Sequence, residues 1–194
     1  MLGSLVGAMT LSSLILMALE PGPSMGTLTV PALTAVDRSN DPMGLIYQTR
    51  IPADDVGWNR IHISFSRTAH GSAELLTLRD RRRGLDKVAN HFIIGNGNGS
   101  GDGELEITRR WRRQVAAETV AADGPRPMGR TVSICLVGDP GQQRPSERQL
   151  RTLRELVRSL QVELAIPREQ VETAEVAARF PELDLHDQLV RVAP

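Results

Sequence analysis

Aromatic side chains make up only 3% of the 194 residues, so the core must be aliphatic. There is one cysteine, Cys135, which excludes an intrachain disulfide. It lies inside an apolar run and is expected as a small buried hydrophobe, not a nucleophile or a ligand. Neither sign of charge is in excess: 23 Lys and Arg stand against 23 Asp and Glu. No global field therefore draws the chain to nucleic acid or to anionic lipid. The glycine-rich stretch 95–103 lacks the Gly-Lys-Ser/Thr ending of a phosphate-binding loop and leads into a strand pattern, so it reads as an enlarged hairpin turn.

What is present is ordinary for a globular protein, with 40% hydrophobic and 24% charged residues. The length suits one domain plus an appendage. Residues 2–19 carry no charge and just reach the length needed to cross a bilayer at about 1.5 Å per residue. A cleaved signal peptide would want a basic start and an Ala-x-Ala site, and neither is there. A retained signal anchor is the favoured expectation, with the bulk of the chain in the cell envelope outside the inner membrane; cleavage would make it secreted. Residues 20–55 are rich in Pro, Gly, Ser, Thr and Asp and read as a tether, with a short strand over 44–49. The domain then spans 56–194.

The chain is organised around residues 130–139. Val132, Ile134, Leu136 and Val137 form a short β-branched, apolar run closed by Gly138-Asp139-Pro140, the pattern of a buried strand. Ser146 and Gln149 fit a capping box. After it, Leu150, Leu153, Leu156, Val157, Leu160 and Leu164 recur at three and four, one wide stripe facing a sheet. Other elements flank this unit. Residues 60–65 alternate as a strand, residues 72–83 read as a helix with Leu75, Leu76 and Leu78 as its apolar face, and residues 91–94 and 104–108 pair as a hairpin. The run 109–113 puts four arginines around Trp111. Such a run can grip single-stranded nucleic acid, but with no net charge it reads as an edge with solvated arginines around one packed Trp. The expected architecture is α/β, a central mixed sheet flanked by helices.

The order of motifs carries a resemblance. Trp58-x-x-Ile61-His62-Ile63-Ser64 is followed by Gly71-Ser72-Ala73 and His91-Phe92-Ile93-Ile94-Gly95-Asn96-Gly97. Then come Gly101-Asp102-Gly103-Glu104-Leu105-Glu106, Arg110-Trp111, Ser133-Ile134-Cys135-Leu136-Val137-Gly138-Asp139, Pro145-Ser146-x-x-Gln149 and Phe180-Pro181. Over about 58–189 the chain resembles the type 2 N-acetylmuramoyl-L-alanine amidase domain, which peptidoglycan recognition proteins share. The resemblance implies a groove over a mixed sheet and a catalytic zinc with three protein ligands and an open position for water. The metal would lower that water's pKa and polarise the muramoyl–L-alanine amide.

The site positions depart from that pattern. His62 matches the first ligand. The second belongs to a Gly-His-Arg-(Asp/Glu)-Val motif, where Thr173 or Ala174 stands. The third falls in Ala177-Ala178-Arg179-Phe180-Pro181, which offers no ligand type. Asn90 occupies the place of the family's tyrosine, and Ala116-Ala117-Glu118 that of its Gly-Ala-His. The losses fall in the site and spare the scaffold. The resemblance then implies a domain that binds peptidoglycan or muropeptides without cutting them, and the apolar segment 2–19 would tether it to the membrane. His62, Ser64, Asn90 and Glu118 would line the groove, and Arg110 and Arg112 would meet muropeptide carboxylates. No cofactor is expected, and no nucleic acid partner. An active zinc amidase would need a relocated ligand set, for which His62, Glu175 and His186 are the candidates. A structural protein-interaction domain of the envelope is the third alternative.

Overall fold

The computed structural model describes residues 43–183; the expected anchor, most of the expected tether and His186 lie outside them. In chain order the elements are β1 (Arg60–Phe65), α1 (Ala73–Arg82), β2 (Phe92–Ile94), β3 (Leu105–Ile107), α2 (Arg109–Arg112), β4 (Glu118–Ala121), β5 (Gly124–Pro127), β6 (Thr131–Leu136), α3 (Glu147–Glu163), β7 (Val171–Glu172) and α4 (Ala174–Arg179). Five strands form one mixed sheet in the order β3-β2-β6-β1-β7, parallel except for the β2–β3 hairpin. β4 and β5 pair as a separate hairpin. The α/β expectation holds: α1 packs on one face of the sheet and α3 on the other.

β6 is the central strand, and all six of its residues are buried. That is why its sequence reads as a nearly continuous apolar run: both faces are covered. Side chains alternate between the faces. Ile61, Ile63 and Phe65 of β1, Val132, Ile134 and Leu136 of β6, and Phe92 and Ile94 of β2 share one face. Against them α3 lays Leu150, Leu153, Leu156, Val157 and Leu160, all buried. Each such side chain contributes about 1.5–3 kcal/mol. The capping box forms as expected. Gln149 N–H donates to Ser146 Oγ, and Ser146 N–H donates to Gln149 Oε1, both at 3.1 Å. The helix stops at Glu163, and Leu164 packs half-buried beyond its end.

The other face carries a smaller cluster, in which Leu76 of α1 meets Val88, Ile93, Cys135 and Val137. That cluster covers the β2–β6 side. His62, Ser64 and Ser133, also on this face, are left to line a groove.

Three expectations need correction. Residues 44–49 form no strand; Gly44–Tyr47 is a 3-10 turn, and Ile46 is fully buried in the main cluster. The stretch 43–55, read as the end of a tether, packs on the core: Ile46 C=O accepts from Trp111 Nε1, and Arg50 N–H donates to Arg112 C=O at 3.0 Å. Turn-rich composition signals irregular backbone, not absence of packing. On α1 only Leu76 is buried among the leucines; Leu75 and Leu78 are 41% and 48% exposed.

The stretch 95–103 is a packed turn. Asn96 and Asn98 donate to Ala69 C=O at 3.0 and 3.3 Å, and Ser100 Oγ donates to Gly71 C=O at 3.0 Å. Gly103 has φ +75°, and a Cβ there would come within 2.9 Å of the Arg148 backbone. Glycine lets the loop approach the first turn of α3.

Candidate functional site

The groove has a volume of about 240 Å³. Its floor follows from the pleat. On β1, His62 and Ser64 point away from the α3 face, and in the parallel register Ser133 of β6 lies beside His62. On the other flank β7 places Glu172 beside His62, so the register reads Glu172, His62, Ser133 across three strands. His62 Nδ1 meets Glu172 Oε2 at 3.1 Å, and Arg60 Nε meets Glu172 Oε1 at 3.3 Å. Asn90, buried behind Ser133, donates its Nδ2 to Ser133 Oγ at 2.7 Å and accepts at its carbonyl from Thr108 Oγ1.

The walls are charged but paired. Arg67 donates to Glu175 Oε1 at 2.8 Å from a residue at φ +57°, whose N–H is held by Gly138 C=O at 2.9 Å. Arg79 donates to Ser66 C=O at 2.6 Å and to Asp80 at 2.7 Å. Glu118 closes the opposite wall and pairs with Arg110. Each groove carboxylate thus already has a cation or an imidazole. The surface suits a polar ligand bound by hydrogen bonds, not an apolar one.

His62, Ser64, Asn90 and Glu118, candidates from separate stretches of sequence, line this one groove. Glu175 lines it as well. Arg110 and Arg112 do not. Arg110 is buried, donating to Val88 C=O at 2.6 Å and Ala116 C=O at 2.7 Å behind Glu118. Its guanidinium satisfies buried carbonyls and has no free face for a muropeptide carboxylate. Arg112 is exposed on the one-turn helix α2, next to Arg50 and outside the groove lining. Trp111 is fully buried, as expected of the packed Trp, and presents no stacking face. Residues that sequence reasoning passed over are Glu172, Arg67 and Ser133. The signal was available in the alternation of small polar residues along β1 and β6, masked in β6 by the apolar run.

The described residues do not fit a zinc ion. His62 gives one imidazole, and its neighbour Glu172 is spent on that ring and on Arg60. Of the two residues at the second ligand's place, Thr173 is buried at the N-cap position of α4, where its side chain makes no capping bond, and Ala174 has no ligand atom. Phe180, in the third ligand's stretch, packs edge-on to Phe65 with ring centroids 5.9 Å apart. Among the described residues no three His, Cys, Asp or Glu side chains cluster as a metal site. Cys135, in register beside Ser64, is buried, and desolvation pushes its thiol up to about 12.

No family model matches the chain, and no curated protein matches it. Among solved structures it is similar to the N-acetylmuramoyl-L-alanine amidase LysC from Clostridium intestinale URNW. Identity is 14%, over 71% of this chain and 92% of that one, with a TM-score of 0.48. It is also similar to PGRP-Hd from Alvinella pompejana, at 16% identity over 68% of this chain and 84% of that one, TM-score 0.48. Bumblebee PGRP-SA follows at 19% identity, over 59% and 68%, TM-score 0.45.

Proposed function

We propose that the chain is an amidase-like domain of the cell envelope, tethered by its N-terminal apolar segment, that binds peptidoglycan or muropeptides without hydrolysing them. The observation that carries this reading is the convergence of His62, Ser64, Asn90 and Glu118 on one open polar groove, while Thr173 or Ala174 at the second ligand's place and residues 177–181 at the third offer no zinc-ligand side chain. The tether rests on the uncharged stretch 2–19. No helix among the described residues is long and apolar enough to cross a membrane.

The reading predicts that muramyl dipeptide binds to the full chain by calorimetric titration. Ser64→Trp, which fills the groove floor, should weaken binding at least about tenfold, equivalent to ~1.4 kcal/mol. Val162→Trp, on the exposed side of α3, should leave it unchanged. Equal affinity in both variants, or no heat with the parent protein, would remove the groove as the binding site.

A further inference from the structure

The outer face of α1 is the part of the fold that neither the core nor the groove accounts for. The helix carries three leucines and buries one. Leu75 and Leu78 stand exposed at i and i+3, and Arg82 continues the same line at i+7. The leucines and Leu76 line a shallow hollow of about 200 Å³, rimmed by His70, Arg79 and Arg82. Charge around it is one-sided. Arg81 and Arg82 are exposed on the helix and Lys87 in the turn beyond it, against Glu74 and Asp86; Asp80 is buried and already paired with Arg79, and Arg83 lines the groove with its guanidinium 4.0 Å from Asp80. Elsewhere the surplus must be compensated, because the whole chain sums to zero.

Burying Leu75 and Leu78 on the sheet is not open to this helix. Its inner side is taken by Leu76 and by the Asp80 carboxylate, which holds Ala89 N–H at 2.9 Å and Arg79. The exposed leucines thus lie on a second stripe of their own. Two apolar residues on one line of a short helix, with long cationic side chains on both flanks, match a lipid interface. The leucines reach below the headgroups, while arginine stems lie along the surface with their charges among the phosphates. Each cation near an anionic leaflet strengthens such contact about fivefold, or ~1 kcal/mol.

We infer that α1 is a docking surface for anionic phospholipid, with Leu75 and Leu78 entering the headgroup layer and Arg81, Arg82 and Lys87 meeting lipid phosphates. This surface lies on the outer side of α1 and does not depend on what the groove binds. It would hold the domain flat on a bilayer.

The test is local, because the N-terminal apolar segment gives the full chain a second way to reach lipid. Leu78→Cys in the full chain is labelled with an environment-sensitive nitrobenzoxadiazole; buried Cys135 does not compete. On phosphatidylglycerol-containing vesicles the probe should brighten and shift to the blue. On pure phosphatidylcholine it should not. Adding Arg81→Glu and Arg82→Glu should abolish the change, and circular dichroism should show the fold intact. No change on anionic vesicles would overturn the inference. So would an equal change on both lipids, or a change that survives the charge reversal. The same change with polyglutamate and no lipid would overturn the assignment to a bilayer and make the occupant an acidic polypeptide.

Discussion

His91 lies against Trp58 and Trp111, with ring centroids 4.9 and 5.6 Å away. Its Nδ1 accepts from Ser133 N–H at 3.0 Å and its Nε2 donates to Val115 C=O at 2.8 Å, so the hydrogen bonds assign a neutral ring with the proton on Nε2. Burial lowers its pKa from 6.5 to about 4; the Val115 carbonyl opposes that shift, and the Arg110 charge adds to it. The folded ring stays neutral where the unfolded ring takes up a proton. Its contribution is therefore full above about pH 6.5 and is lost as pH falls to about 4, by about 3 kcal/mol. Urea unfolding across that range should show the loss, and a His91→Phe variant should show less of it. A parent and variant with the same acid profile would contradict the neutral, buried assignment. The contrast with His62 is one of partners. One imidazole is enclosed by indole rings and backbone groups; the other sits on the open face beside Glu172. Ile61 and Ile63 flank the one and Asn90 and Phe92 the other, and neither pair of neighbours names the partners of the ring, which come from distant stretches of chain.

At the scale of elements, the parts that repeat a period were legible in the sequence. The stripe on α3, its capping box and the buried run of β6 are local patterns, and each formed where its residues placed it. Ser146 is the residue on which the α3 start depends: its hydroxyl caps Gln149 N–H and also donates to Asp102 of the glycine-rich loop. Ser146→Ala should cost about 1 kcal/mol, the ordinary worth of an N-cap, and more if the loop loses its hold. Thermal melts of that variant against Glu147→Gln would check it, the latter removing only a first-turn charge. An unchanged melting point for Ser146→Ala would contradict the cap. What was not legible depends on contacts distant in sequence. Ile46 is buried because Trp111 and the α3 face leave a space that the pre-domain segment fills. Arg110 is buried because Val88, ahead of β2, and Ala116, after α2, present carbonyls that need a donor. Leu75 and Leu78 are exposed because Asp80 takes the inner side of α1. In each case a residue's type set an expectation that tertiary surroundings overrode.

For the whole molecule, one sheet serves two purposes by being covered unequally. The α3 face is closed by one continuous, mostly aliphatic core into which both tryptophans and all three phenylalanines of the chain are gathered. The opposite face is closed only beneath α1, and the same pleat that buries Ile61, Ile63, Ile134 and Leu136 turns His62, Ser64 and Ser133 toward the open part. The groove was legible as a set of positions, through the resemblance, and its four lining candidates come together. Its internal pairing was not, because Glu172 reaches His62 only once β7 aligns beside β1. The proposal of a groove that binds without zinc rests instead on Thr173 or Ala174 and on residues 177–181, none of which is a zinc-ligand type. The most direct measurement is co-sedimentation of the full chain with purified peptidoglycan, with added zinc and with chelator, while the supernatant is assayed for released stem peptides. The account predicts the same bound fraction in both conditions and no release. Release that the chelator suppresses would contradict it and would mean that His62 has found other metal ligands.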